Sequence, residues 1–301
     1  MDKPKVTVIT ATYNLIKNNR KNYFIQALES VQKQSYDNIE HLIIDGGSDD
    51  GTITILEEYK KMGWIKYYSE PDDGIYYAFN KGIEKAEGKY ICFLNSDDYY
   101  WDPNAIEKNV HALEKHRADF SYGDTYIEEN GKLNLYKGRI NKIFTRPFMH
   151  ISMICSKDML CRMGKFNTKF SVAADYNLIL KCILQKQKMV YIPCCIGVYR
   201  LGGFSALDIQ KTEEDRLNAM IDAFYPKQIT RSDACLLSEN IYPKTLVIYL
   251  ITKLGFKMLF RHKLIQLRKK IVQIRFSKNK KYVKIFGITI IDISQEKKHH
   301  G

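Results

Sequence analysis

Asp97 and Asp98 follow the apolar run Ile91–Leu94 (ICFL) after Asn95 and Ser96. Two carboxylates forced side by side repel each other unless a cation or a shared proton relieves them. Hard oxygen ligands of this kind suit Mg2+ or Mn2+, which take one or two carboxylates together with substrate phosphates. Paired aspartates are also common in turns, and Asp98 could equally cap a helix beginning at Tyr99. Asp45 presents a similar choice. It ends the apolar run EHLIID and opens the segment DGGSDDGT (Asp45–Thr52). An acid at the end of the second strand of a nucleotide-binding fold accepts hydrogen bonds from the ligand's base or ribose. Alternatively, Asp45 and Asp49 only shape a turn in which Gly46 and Gly47 adopt positive φ. Neither GxGxxG nor GxxxxGK[ST] occurs, which counts against a dinucleotide cofactor and a P-loop NTPase.

The elements that must position these acids are legible as an alternation. Lys5–Thr10 (KVTVIT) is a β-branched run and predicts a buried strand. Asn22–Gln34 carries Phe24, Ile25, Leu28 and Val31 at helical spacing. Glu40–Asp45 predicts a second strand, stopped by Gly46-Gly47. A helix over Thr52–Lys61, a short strand over Ile65–Tyr68, a helix over Ile75–Ala86 and a buried strand over Lys89–Leu94 follow. Strands alternating with helices at this spacing predict a parallel sheet in an α/β fold. Ligands of such sheets bind beyond the carboxyl ends of the strands. The polar segments Thr10–Asn14 (TATYN), Asp45–Thr52 and Asn95–Asp98 (NSDD) each follow a predicted strand and should open onto one crevice. Gly123-Asp124 and Asn130-Gly131 predict turns between later short strands.

Charge divides the chain. Residues 1–240 hold 32 Lys+Arg and 32 Asp+Glu, whereas residues 241–301 hold 15 Lys+Arg against only Asp292 and Glu296. A neutral body with a cationic tail does not have the composition of a nucleic-acid binder, so no nucleic-acid partner is expected. The seven cysteines form no CxxC pair, which argues against a disulfide framework or a zinc cage and fits a reducing compartment. The start, MDKPKVTVITATYN, lacks the apolar run of a signal peptide, and a cytosolic location is expected.

Taken in order, TATYN, IIDGGSDDGT and SEPDDGIYYAFNKGIEKAEGKYICFLNSDD resemble the nucleotide-binding half of the inverting family 2 glycosyltransferases. The likeness is dense over residues 5–103. It continues more thinly through RPFMHISM (Arg146–Met153), FNTKFSVAADYNLILK (Phe166–Lys181) and YRLGGFS (Tyr199–Ser205). The branch that builds bacterial surface polysaccharides and lipopolysaccharide is the nearest in pattern. The resemblance implies a GT-A fold, Rossmann-like with a mostly parallel central sheet, and transfer of a hexose or N-acetylhexosamine from a UDP-sugar to a hydroxyl of a glycan or lipid-linked acceptor. It implies that Thr10, Tyr13 and Asn14 line the uracil and ribose pocket, that Asp45 hydrogen-bonds the uracil, and that Asp72 lies near the ribose or sugar. Asn95, Asp97 and Asp98 fall on the metal-binding region, with Mn2+ or Mg2+ on Asp97 and Asp98. Asp175 matches the general base and His150 a residue beside the acceptor. Arg200 begins a loop, running to Ser205, that closes over the diphosphate. For Asp175 the competing reading is an N-cap of a helix over Tyr176–Leu184; for His150 it is a structural histidine.

The pattern has departures. Asn95 stands where the motif usually opens with an acid, Tyr77 where the branch has Asp, Ile151 where Gln follows the histidine, and Ala174 where Glu precedes the base. They leave a degenerate sugar-nucleotide binder of little activity as the alternative function; a nucleotidylyltransferase would need a Gly-rich, Arg-containing loop where TATYN stands. Residues 1–105 are expected to form the nucleotide-sugar-binding half, 106–215 the acceptor-binding half, and 216–301 a basic, partly helical extension. Within the extension, apolar residues recur at helical spacing with interleaved Lys and Arg through TLVIYLITKLGFKMLFRHKLIQLRKKIVQIRF. That pattern predicts a basic amphipathic helix lying on an anionic leaflet, at the inner face of the cytoplasmic membrane; packing on the body is the competing reading. Its uncharged run, Thr245–Thr252, is far shorter than the ~20 residues of a spanning helix. Lys280–Asp292 (KKYVKIFGITIID) predicts a strand pair or a partner-binding piece. Self-association into a homo-oligomer is left open.

Overall fold

The computed structural model describes residues 3–202, 209–241, 244–254, 273–277, 280–285 and 288–293. They fall in two compact units, residues 1–243 and 244–301.

The first unit opens with β1 (Val6–Thr12), α1 (Lys21–Gln32), β2 (Ile39–Asp45), α2 (Thr52–Lys61), β3 (Lys66–Ser69), α3 (Ile75–Lys85) and β4 (Tyr90–Phe93). These strands lie in the order β3-β2-β1-β4, each pair parallel. β1 and β2 are buried almost throughout, as strands covered by helices on both faces must be, and so they carry continuous rather than alternating apolar residues. α3 presses closely on the sheet. A Cβ at Gly82 would stand 2.5 Å from Cγ2 of Ile9, so only glycine admits this approach.

The unit continues with β5 (Tyr99–Tyr100), α4 (Ala105–His116), β6 (Phe120–Glu129), β7 (Lys132–Tyr136), β8 (Ile154–Ser156), α5 (Lys157–Arg162), α6 (Ala174–Leu184), β9 (Met189–Arg200), α7 (Ile209–Ala223) and α8 (Arg231–Ser238). The sheet extends as β4-β8-β6-β9-β5, with β7 on the free side of β6. β8 runs antiparallel to β4 and β6, whereas β6 and β9 are parallel. The Asn130-Gly131 turn is present, both residues at positive φ between β6 and β7. Gly123-Asp124 is no turn. It lies within β6 at a shift of register against β9, and a Cβ at Gly123 would stand 2.7 Å from Ile196. Its glycine marks a bulge rather than a chain reversal.

The body does not stop at residue 215. α7 buries Ala219, Met220 and Ala223, Asn177 of α6 donates to the Ala219 carbonyl (2.7 Å), and Lys181 pairs with Asp222 (2.7 Å). Residues 216–241 therefore pack with the body, and the two units divide at Pro243/Lys244.

The second unit contains α9 (Lys244–Leu254) and an antiparallel sheet of β10 (Gln273–Ser277), β11 (Lys280–Ile285) and β12 (Ile288–Ile293). The expected strand pair is β11 with β12. Gln273–Phe276, expected to end the basic helix, is strand instead, because β11 offers it an antiparallel ladder from Gln273↔Lys284 to Ser277↔Lys280. The middle of that helix, residues 255–272, lies outside the described residues. No helix among the described residues is long and apolar enough to cross a membrane.

Candidate active site

Parallel registry brings the strand ends together. Thr12 of β1 stands beside Asp45 of β2, Asp45 beside Ser69 of β3, and Ile9 beside Phe93 of β4. The three polar segments therefore emerge along one edge, and hydrogen bonds lace them. Asn14, at φ 48°, donates its N–H to Ser48 Oγ (2.8 Å) and accepts from Asp49 N–H on its side chain (3.1 Å). Leu15 N–H donates to Thr52 Oγ1 (2.9 Å).

Asp45 is fully buried. Its carboxylate accepts from Thr12 Oγ1, Gly47 N–H, Ser48 N–H, Ser48 Oγ and Ser69 Oγ, at 2.6–3.1 Å. It folds the turn that follows it. The free polar surface lies beside it: Tyr13 is 60% exposed, and a Cβ at Gly46 would meet Asp72 Oδ1 at 3.2 Å and the Tyr13 ring at 3.4 Å. Asp72 Oδ1 accepts from Gly74 N–H, while its Oδ2 is buried without a partner; burial raises its pKa. An exposed ring, a bare backbone and an unsatisfied carboxylate oxygen together suit a planar heterocycle that offers an N–H. Thr10 does not reach this surface. It is fully buried inside β1, with its hydroxyl 3.0 Å from His41 Nε2, and burial drives His41 down to about 3, leaving it neutral.

Asp97 and Asp98 have different surroundings. Asp98 is completely buried. Its Oδ1 accepts from Arg200 N–H (2.8 Å) and its Oδ2 from Asn95 Nδ2 (3.0 Å). Burial pushes it up to about 6, against the opposing pull of the His150 and Arg200 charges. It caps no helix, since Tyr99–Tyr100 is strand β5, paired with β9. Asp97 keeps part of its carboxylate open, and Oδ2 is ion-paired with Arg20 Nη1. Arg20 also donates to the Gly202 carbonyl (3.3 Å).

Arg200 is committed to the protein. Its guanidinium lies between the rings of Tyr23 (4.5 Å) and Tyr99 (4.7 Å). It donates to the Asp97 carbonyl (2.5 Å) and to Gln26 Oε1 (2.6 Å), and forms an ion pair with Glu128 (3.0 Å). The remainder of the expected diphosphate loop, 203–205, lies outside the described residues.

The second acidic centre is Asp175. It sits in the first turn of α6, whose N-cap is Ala173, so it is not the cap. Oδ1 accepts from Tyr176 N–H (2.7 Å) and from Tyr76 Oη (3.1 Å), and Oδ2 faces His150 Nδ1 at 3.4 Å. About a quarter of the side chain (27%) remains exposed. Burial works against charge on both partners, yet their attraction prevails: His150 is raised and Asp175 lowered, an imidazolium–carboxylate pair. His150 Nε2 is buried without a partner. Two of the departures turn inward: Ile151 and Ala174 are core residues. Tyr77 stays at the surface, 38% exposed.

No cluster of three or more His, Cys, Asp or Glu side chains converges on a point among the described residues, which therefore offer no all-protein metal cage. Of the adjacent acids Asp97 and Asp98, only Asp97 keeps part of its side chain open. Combined with the phosphate oxygens of a ligand, that donor set fits Mg2+ or Mn2+. Arg20 and Tyr76 were not anticipated from the sequence. The first lies in an unpatterned polar loop, and the second reads as a core aromatic.

A parallel α/β block with polar strand ends gathered on one edge, carried into a mixed sheet that bears a second acidic centre, is the GT-A architecture. The chain belongs to the family described as glycosyl transferase family 2, whose profile matches residues 7–204. Among curated relatives, the putative teichuronic acid biosynthesis glycosyltransferase TuaG of Bacillus subtilis is 36% identical over 132 residues, 43% of this chain and 50% of TuaG. The UDP-Glc:alpha-D-GlcNAc-diphosphoundecaprenol beta-1,3-glucosyltransferase WfaP of Escherichia coli is 31% identical over 188 residues, 59% of this chain and 70% of WfaP. The match spans only 18% of an uncharacterized glycosyltransferase of Rickettsia bellii, so the chain covers from about a fifth to about half of several curated relatives it matches. S. aureus TarS 1–349 in complex with UDP-GlcNAc shares the fold with a TM-score of 0.62 at 17% identity, over 88% of this chain and 77% of that one. The mannosyltransferase PcManGT of Pyrobaculum calidifontis, in complex with GDP-Man and Mn2+, gives 0.58 at 18% identity, over 79% and 70%.

Proposed function

We propose that this chain is an inverting glycosyltransferase that moves a hexose or N-acetylhexosamine from a UDP-sugar to a hydroxyl of a glycan or lipid-linked acceptor in surface-polysaccharide synthesis. The observation that carries the reading is that the open Tyr13–Gly46–Asp72 surface and the Asp97–Arg20 pair both follow strand ends on one sheet edge, with the Asp175–His150 pair near enough for the His150 charge to act on Asp98. Family membership and the UDP-sugar in the name of WfaP support the donor class.

In this reading Tyr13 stacks on the uracil and Asp72 Oδ2 accepts its N–H. Asp45 acts at one remove, by holding the turn. Asn14 and Ser48 fix the neighbouring backbone, and Thr10 supports β1 from within. Asp97 would hold the divalent ion. Mn2+ or Mg2+, when bound, supplies neutralisation of charge on the departing diphosphate without proton transfer. Arg20 exchanges its hold on Asp97 for the diphosphate oxygens. Asp98, with Asn95, keeps the Asp97 loop fastened to Arg200. Asp175 takes the proton of the attacking hydroxyl, a role typically worth about 10²–10⁴-fold, and His150 orients it beside the acceptor. Attack from the face opposite the leaving group inverts the anomeric centre. Residues 1–105 serve the donor and the second half of the body serves the acceptor. The basic segment 241–301 holds the enzyme on anionic lipid at the inner face of the cytoplasmic membrane.

A screen of UDP-sugars for UDP release, with a panel of short acceptors, tests the assignment. Turnover should require Mn2+ or Mg2+ and collapse in Asp97→Ala and Asp175→Asn; full turnover with a chelator present removes the metal from the reading. UDP binding without turnover of any sugar would favour the degenerate binder. Liposome flotation that is the same with and without residues 241–301 would remove the membrane role.

A further inference from the structure

The segment Lys137–Arg146 (KGRINKIFTR) carries Lys137, Arg139, Lys142 and Arg146 and no carboxylate, in a body, residues 1–240, whose charges balance as a whole. It leads directly into His150. Two contacts set its end against the helices that carry and support Asp175. Tyr176 Oη donates to the Ile143 carbonyl (3.0 Å), and Arg216 Nη1 of α7 donates to the Phe144 carbonyl (3.2 Å). The neighbouring Asp215 accepts from Val172 and Ala173 N–H, just ahead of α6 (2.8 and 3.0 Å). Between these elements lies a cavity of about 230 Å3 lined by Thr145, Arg146, Glu213 and Arg216.

The charges in this cavity do not cancel. Arg216 directs Nε and Nη2 at Glu213 Oε2 (3.2 and 2.7 Å), and Asp215 is spent on backbone N–H groups. That leaves Arg146, which is exposed and whose guanidinium has no ion pair or hydrogen bond among the described residues. It lies close enough to bias the charges of His150 and Asp175. An arginine without a carboxylate partner, beside a second arginine, suits a tetrahedral oxyanion that takes a fork of N–H donors.

Resting on the transferase reading above, we propose that the Arg146–Arg216 cavity is an anion subsite for a phosphate or diphosphate borne by the acceptor, distinct from the donor diphosphate at Asp97 and Arg20. Phosphate placed there fixes the acceptor from its charged end and leaves a sugar hydroxyl to reach Asp175. Two kinds of acceptor supply this chemistry, a lipid-linked sugar diphosphate and a polyol-phosphate chain.

The test uses the full chain saturated with UDP and Mg2+, so that the donor site is filled. It is titrated with geranyl diphosphate and, separately, with glycerol 3-phosphate, with geraniol and glycerol as neutral controls. At least one anion should bind where its control does not, and the tighter of the two names the source. Arg146→Gln should weaken that binding by about tenfold or more, the scale of a lost charge-assisted contact, and Arg146→Glu should abolish it. Arg146 makes no side-chain contact that folding requires; Arg216→Lys, which keeps the charge but loses the fork, should fall between. Binding of neither anion, or equal binding by Arg146→Gln, overturns the proposal. UDP affinity, measured in the same samples and expected to be unchanged by Arg146→Gln, reports separately on the donor reading.

Discussion

Asp98→Asn should make the protein more stable at neutral and alkaline pH, although it lies in the acidic motif. Asp98 is completely buried and raised from its ordinary 3.8 to about 6. A folded-state pKa above the unfolded one gives stability that is full below pH 3.8 and is lost as pH rises through about 6. The shift, about two pH units at 1.36 kcal/mol each, makes the ionised side chain unfavourable by ~3 kcal/mol above pH 7, and by less than about 1 kcal/mol at pH 4. Asparagine has the shape of the neutral acid. Its carbonyl can still accept from Arg200 N–H, and its amide can donate to Asn95, whose Oδ1 is buried without a partner and becomes available when that amide is flipped. The gain over wild type should therefore approach ~3 kcal/mol at pH 8 and nearly vanish at pH 4. Both tryptophans, Trp64 and Trp101, lie in the first unit, so fluorescence-detected urea unfolding at the two pH values reads that unit. A loss of stability at pH 8, or a difference that does not change with pH, would show that the buried charge is favourable where it stands and refute the reasoning.

The other predictions address separate links. His150→Gln leaves the partly exposed Asp175 without its cationic partner, so the acid limb of kcat/KM should move to higher pH; an unmoved limb would uncouple the two residues. The stabilisation that the wild-type pair gives over this variant should be largest between the ordinary values 3.8 and 6.5. It should fall as pH drops through the lowered Asp175 value or rises through the raised His150 value. Arg20→Gln should reduce kcat by about 10²-fold if its guanidinium meets the departing diphosphate, and an unchanged kcat would place Arg20 outside the chemistry. Gly82→Ala drives a Cβ to 2.5 Å from the buried Ile9. Overpacking of ~1–3 kcal/mol should exceed the ~1 kcal/mol that alanine brings to a helix, and a raised Tm would contradict that balance.

What could be read beforehand, and what could not, follows from the range of the interactions involved. The β1 to β4 alternation was legible because burial on both faces demands continuous β-branched and apolar runs, and the helices between them repeat at 3.6 residues; α2 spans Thr52–Lys61 as the spacing predicts. Where a single side chain points is not a matter of local pattern. Thr10 and Tyr13 stand three residues apart in TATYN, yet registry against β2 seals Thr10 beside His41 and leaves Tyr13 open. Asp97 and Asp98 are adjacent and chemically identical, but Arg200, about a hundred residues later, brings its backbone N–H to one and its guanidinium to the carbonyl of the other. Gln273–Phe276 holds too few residues to tell a period of 2 from one of 3.6, and the β11 ladder decides it. Arg20 had no motif to announce it and is recognisable only from the carboxylate it touches. The family pattern therefore locates a rim, and long-range packing distributes the roles along it. That division is why substitutions at Asp97 and Asp98, neighbours in the chain, should separate into an effect on turnover and an effect on stability.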